Sequence, residues 1–176
     1  MELNRLQPLD EDVAADMFEL LSARLTSVGY EQYEISNYAK PGFYSRHNSG
    51  YWHGMRYLGL GPSAHSFDGE KRWYNIAHTI KYNNLVKSDN LDVKSEDILT
   101  PDERFNELVF TALRTKIGVD LQDLRIRFGE SRYNQLLRQA QKYINAGNMH
   151  IINGRLSLTH KGIYISDSII CDFMIV

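Results

Sequence analysis

The densest cluster of chemically able residues is Ser45-Arg46-His47-Asn48-Ser49-Gly50-Tyr51-Trp52-His53. An iron porphyrin asks for such a set: an axial nitrogen, flat apolar surface beside the macrocycle, and cations for its propionates. His47 or His53 could supply the nitrogen, Tyr51 and Trp52 the surface, and Arg46 or Arg56 the cation. The same composition would also suit a loop that merely packs on its own fold.

A second segment, Gly59-Leu60-Gly61-Pro62-Ser63-Ala64-His65-Ser66, follows the apolar run Tyr57–Leu60. Glycines at the end of a buried strand let backbone approach a ligand closely. An ordinary turn reads the same way. The dinucleotide-binding fingerprint is ruled out by the glycine spacing and the lack of a following helix. A third set, Arg132, Arg138 and Lys142, shares a helix and could line a major groove. Scattered cations without a basic stripe more often make a solvated helix face.

Charge and composition bound these options. Twenty Lys and Arg stand against 22 Asp and Glu, a net charge of -2, which argues against a broad electrostatic grip on nucleic acid. No apolar run reaches the length of a bilayer span. The acidic stretch Met1–Asp16 lacks the basic-then-apolar order of a signal peptide, so a cytoplasmic setting is expected. Cys171 is the single cysteine, and one thiol cannot make an internal disulfide, a structural zinc site or a cysteine-ligated cluster. It reads as a small buried hydrophobe.

The elements that must position these residues fall in a clear order. Residues 10–28 predict a helix capped by Asp10, with Val13, Met17, Leu20, Leu21, Leu25 and Val28 on its buried face. Strands are expected at Tyr30–Ile35 and Tyr57–Leu60, the second reading as a buried parallel strand. Between them Ser36–Met55 reads as a long loop. Trp73–Ala77 fits either a strand or irregular chain, and His78–Val86 a short helix. Residues 1–86 are thus expected as one unit and the polar stretch 87–100 as a linker.

From residue 101 the pattern sharpens. Thr100-Pro101-Asp102-Glu103 is a capping box with Pro at the first helical position, and Phe105, Leu108, Val109, Ala112 and Leu113 form its stripe. Asp120 caps a second helix closed by Gly129, and a third spans about Ser131–Ala146. Asn153-Gly154 predicts a type I′ hairpin turn between Met149–Ile152 and Arg155–Leu158. Thr159 then caps a last helix. Residues 101–176 therefore predict a small winged-helix-like α+β domain.

Several segments together resemble one family. Tyr33-Glu34-Ile35-Ser36-Asn37-Tyr38-Ala39-Lys40-Pro41-Gly42, Ser45-Arg46-His47-Asn48 with Tyr51-Trp52, and Tyr57–Ser66 resemble the HemW-type heme chaperones. These are close relatives of oxygen-independent coproporphyrinogen III oxidase, an enzyme of porphyrin biosynthesis. The likeness continues through Leu158-Thr159 and Gly162 to Ile165–Ile170. It implies an α/β fold: the C-terminal part of a radical-SAM partial TIM barrel, then the winged-helix-like domain.

The resemblance implies further that His47, Asn48, Tyr51 and Trp52 match the family's HNxxYW motif. Heme is then expected there with His47 as axial ligand and Arg46 beside it. Gly61, Pro62, Ser63, Ala64 and His65 match a strand end facing S-adenosylmethionine. The family's [4Fe–4S] cluster is held by CxxxCxxC, which this sequence lacks. The chain is expected to be a piece of a longer product, inactive in radical chemistry alone. It is also expected to associate with itself through uncovered apolar surface. The implied role is heme delivery to an acceptor protein; the alternatives are a piece of the oxidase and a winged-helix nucleic-acid or protein-binding module.

Overall fold

The computed structural model describes residues 10–175. Positions 1–9 of the acidic N-terminal stretch lie outside the described residues. Within them the chain forms two compact units: everything up to Tyr44 together with Leu108 onward, and Ser45–Glu107. Every strand pairing among the described residues is antiparallel.

The first unit begins with α1 (Glu11–Ser27). As expected, Asp10 caps it, its carboxylate accepting the N–H of Asp12 at 2.9 Å. The expected buried face is not buried, however. Val13, Met17, Leu20, Leu21 and Val28 are exposed, Met17 at 58% and Leu20 at 61%. The helix instead docks by the neighbouring face. Phe18 stacks on His160 at 5.3 Å and leans on Tyr164, whose hydroxyl donates to the Glu11 carbonyl at 3.0 Å, and Ser22 is buried. The apolar stripe meets no covering element among the described residues of its unit.

Next come β1 (Glu31–Glu34) and β2 (Asn37–Ala39), a tight hairpin where sequence implied a strand and a loop. Buried Glu34 ties it together. Its carboxylate accepts Ser36 N–H at 3.0 Å, Asn37 Nδ2 at 2.6 Å and Arg114 Nη2 at 3.1 Å. A carboxylate this enclosed needs such a full set of donors. Part of the family-like Tyr33–Gly42 segment is therefore structural.

The rest of this unit is the predicted winged-helix order. After the C-terminal half of α4 (Pro101–Leu113) come β6 (Val119–Asp120), α5 (Leu121–Asn145), β7 (Met149–Ile152) and β8 (Arg155–Leu158). The sheet order β6-β8-β7 places the two wing strands beside a short first strand. Gly129 breaks α5 with φ of +81°, so two helical pieces meet there; an L side chain would strain that backbone. Asn153 and Gly154 both have positive φ, as a type I′ turn requires. Finally α6 (His160–Tyr164) and α7 (Ser166–Phe173) close over the core.

That core is apolar and dense. Val119, Leu124, Leu136, Ala140, Leu156, Ile169 and Phe173 have no exposed surface. Each such large side chain stabilises by about 1.5–3 kcal/mol on burial. Cys171 was expected inside and is exposed. On α7, Ile169, Ile170 and Phe173 take the inner face, while Asp172 is tied outward to Lys142 and Tyr143, which leaves Cys171 on the solvent side.

The second unit holds α2 (Arg46–Trp52), β3 (His65–Phe67), β4 (Arg72–Asn75), α3 (Thr79–Lys87) and β5 (Lys94–Asp97), then the start of α4. The strands make one sheet in order β3-β4-β5. Two expectations change here. Residues 94–97, expected within the linker 87–100, form an edge strand on β4. Tyr57–Leu60, expected as a buried parallel strand, forms only an isolated antiparallel bridge between Tyr57 and Phe67. Leu58 and Leu60 are 67% and 82% exposed. A parallel strand needs a neighbour to pair with, and none is present among the described residues. The capping box at Thr100 is as expected, with Thr100 N–H donating to Glu103 at 2.7 Å and Glu103 N–H to Thr100 Oγ1 at 3.2 Å.

Candidate functional site

The cluster read as loop, Ser45–His53, is mostly helix. Ser45 caps α2, its hydroxyl accepting Asn48 N–H at 3.2 Å. Seven helical residues suffice to sort the family motif by side. His47 and Tyr51, four apart, share an exposed face. Their rings meet edge to face at 5.0 Å. Asn48 and Trp52, also four apart, are half-buried. The motif therefore divides into an outward pair that can meet a ligand and an inward pair that seats the helix.

The aromatic surface extends beyond the motif. Tyr51 meets Tyr57 edge to face at 5.0 Å, and Tyr57 leans on Phe67 at 6.2 Å. Burial pushes the Tyr57 phenol up. Tyr57 and Phe67 also exchange backbone hydrogen bonds at 2.9 Å in both directions. Sequence reading named neither as a site residue; in sequence they are ten positions apart, and only the bridge joins them. The result is a run of rings, His47–Tyr51–Tyr57–Phe67, one end carrying an exposed imidazole. Flat apolar surface next to an available nitrogen fits the donor set of a porphyrin iron.

The other candidates are placed differently. His53 caps α2 at its C-terminus, and its Nδ1 donates to the Ser49 carbonyl at 2.6 Å. A carbonyl only accepts, so Nδ1 carries a proton in this bond and a metal could be met only through Nε2. His47 has the ring contact instead. Arg46 is exposed at the start of the helix, while Arg56 lies along Gly69, with Nε 3.2 Å from where a Cβ there would sit.

In the Gly-rich segment, Gly61 and Ser63 take positive φ of 103° and 61°. The space where a Gly61 side chain would project is open, while its N–H and C=O are bonded within the chain. Gly59 is a close approach: a Cβ there would sit 2.1 Å from the His65 carbonyl oxygen. Pro62 and Ala64 are half-buried, and Ser63 is exposed. His65 is exposed beside Tyr74, ring to ring at 5.5 Å. Both candidate segments lie in the Ser45–Glu107 unit and meet at the Tyr57–Phe67 bridge.

Three of the α5 cations pair with carboxylates, and Arg132 donates to Gln135 Oε1 at 3.0 Å. Lys142 donates to Asp172 at 2.5 Å, Arg125 to Glu130 at 2.5 Å and Arg127 to Asp123 at 3.3 Å. Among the described residues no group of three or more His, Cys, Asp or Glu is arranged to hold a metal ion. No described helix is long and apolar enough to cross a membrane.

Residues 99–165 match the HemN C-terminal domain. A heme chaperone HemW from Mycobacterium tuberculosis is 33% identical over 92% of this chain, and one from Bacillus subtilis 28% over 99%. The matched region makes up 39% and 46% of those proteins, so the chain spans less than half the length of these curated relatives. Among solved structures, coproporphyrinogen III oxidase from Escherichia coli, a radical SAM enzyme, superposes with a TM-score of 0.66. The match covers 90% of this chain and 40% of that one at 19% identity, a likeness of fold. The chain thus shares the fold of part of coproporphyrinogen III oxidase, matches the HemN C-terminal domain over residues 99–165, and is similar in sequence to the HemW-type heme chaperones.

Proposed function

We propose that this chain holds and delivers heme as part of a longer radical-SAM-type protein. The observation that carries the reading is the exposed His47–Tyr51 pair at one end of an aromatic run. In this reading His47 binds the iron axially, and Tyr51 packs beside the macrocycle. Arg46 pairs with a propionate, while Asn48 and Trp52 seat the helix. Heme is cargo here, and an exposed ligand suits a carrier that must release it. A deep pocket would favour retention over release.

Gly61–His65 would contact S-adenosylmethionine in the longer protein, on the side where the space beside Gly61 is open. Bound to a [4Fe–4S] cluster, that cofactor supplies radical chemistry. Cys171 alone cannot supply the three thiolates of such a cluster, so this chain by itself is proposed as a carrier. Its partners are heme and a heme-acceptor protein, in the cytoplasm. The exposed stripe of α1 adds a further partner, a second copy of this chain. Nucleic acid is not proposed, because carboxylates face three of the α5 cations. Titrating the chain with hemin tests the reading: a saturable Soret shift with one site per chain supports it. A spectrum that stays that of free hemin contradicts it.

A further inference from the structure

Three side chains hold the Gly-rich segment: Asn75 and Tyr82 from outside it, and Ser66 at its end. Asn75 is 5% exposed, and its Nδ2 donates to the Gly61 carbonyl at 2.9 Å and reaches the Gly59 carbonyl at 3.4 Å. Its backbone N–H donates to the Ala64 carbonyl at 2.9 Å. Ser66 is fully buried, and its hydroxyl accepts Gly59 N–H at 2.9 Å. The Tyr82 hydroxyl, arriving from α3, accepts Gly61 N–H at 3.2 Å.

These bonds have a cost to explain. Two glycines make this stretch expensive to order, and Ser63 sits in a left-handed conformation that L residues rarely adopt. A buried carboxamide spent on two loop carbonyls is also an unusual use of core space. What the bonds supply is a fixed loop shape, and a fixed shape is what close approach of a ligand needs.

We propose that Asn75, assisted by Ser66 and Tyr82, is a positioning residue that holds Gly59–His65 in its ligand-facing conformation. This rests on the reading of that segment as a cofactor contact, and Asn75 acts through the loop backbone it bonds. Asn75→Asp keeps the side chain's shape and removes the donor. Tyr82→Phe removes only a hydroxyl from a half-buried ring, and serves should Asn75→Asp fail to fold.

Amide hydrogen exchange on this chain decides the holding role. In Asn75→Asp the amides of Gly59, Gly61 and Ala64 should exchange about 10-fold faster, the equivalent of about one net hydrogen bond. In Tyr82→Phe the Gly61 amide should lose protection selectively. The β4–β5 ladder amides should stay protected in both. Unchanged exchange at Gly59–Ala64, or equal loosening of the whole sheet, would overturn the proposal. Equilibrium dialysis with S-adenosylmethionine separates the underlying reading. If the wild-type chain binds it, Asn75→Asp should weaken binding about 10-fold or more, and equal affinity would overturn the positioning role. A wild-type chain that binds none counts against the cofactor contact itself, whatever the exchange pattern.

Discussion

The winged-helix region and the Ser45–Glu107 unit differ in how much apolar core they hold. The first packs Leu124, Leu136, Leu156, Ile169 and Phe173 into an apolar core, and also buries Asn148, Ser157 and Ser166. Among described residues of the second, the buried apolar side chains are Val93 and Phe105, and Ser66 and Asn75 are buried beside them as polar pins. A dense apolar core gives stability without presenting groups to a ligand. The Ser45–Glu107 unit instead leaves its rings available, and uses hydrogen bonds to keep its Gly-rich segment in place. On the proposed reading, function sits in the unit with the thinner core.

The largest expected effect contrasts the two cores directly. Phe173→Ala should cost about 3–5 kcal/mol in denaturant unfolding, as truncation of a sealed aromatic does. Val93→Ala should cost about 1–2 kcal/mol, the transfer energy of two methyl groups. Equal costs would remove the contrast. A middling effect is expected on α1. Leu20→Lys with Leu21→Lys should abolish concentration-dependent association in sedimentation velocity while leaving helicity intact. A wild-type chain that is monomeric at high concentration would show that the exposed stripe needs no second copy.

The smallest effect concerns the clasp of α5 on α7. Hydrogen bonds from Lys142, then Tyr143, hold the Asp172 carboxyl below its ordinary value, and the bond to Asp172 raises Lys142. The carboxylate's contribution is present above its unfolded pKa and is lost as pH falls through the lower folded value. The lysine's is present below its own unfolded pKa and lost as pH rises through the raised folded one. Asp172→Asn should therefore lower the thermal midpoint slightly near neutral pH, and the gap should close in strong acid. A gap that is constant down to low pH would contradict the assignment.

How much of this was legible in the sequence follows the range of the interactions. Asp10, Thr100, Asp120 and Thr159 act within three residues, so their caps were readable. The same holds for the Asn153-Gly154 turn and the break at Gly129. The face chosen by α1 depends on Phe18 meeting His160 more than a hundred positions away, which no periodicity reveals. Tyr57–Leu60 had strand composition but finds no parallel partner among the described residues. The site was half legible: His47, Asn48, Tyr51 and Trp52 stand in one short run, and a cap at Ser45 could have suggested the helix that sorts them. Tyr57, Phe67, Asn75 and Tyr82 join the site through a bridge and long hydrogen bonds. Glu34 was invisible as an anchor because its partner Arg114 lies 80 residues on.

The central claim, an iron held by the exposed imidazole of α2, is tested most directly by hemin titration of His47→Ala beside wild type and His53→Ala. The account predicts that His47→Ala loses the Soret shift while keeping the wild-type circular dichroism. Added imidazole should restore the band, and His53→Ala should bind as wild type does. An unaltered Soret band and affinity in His47→Ala, or loss of binding only in His53→Ala, would contradict it.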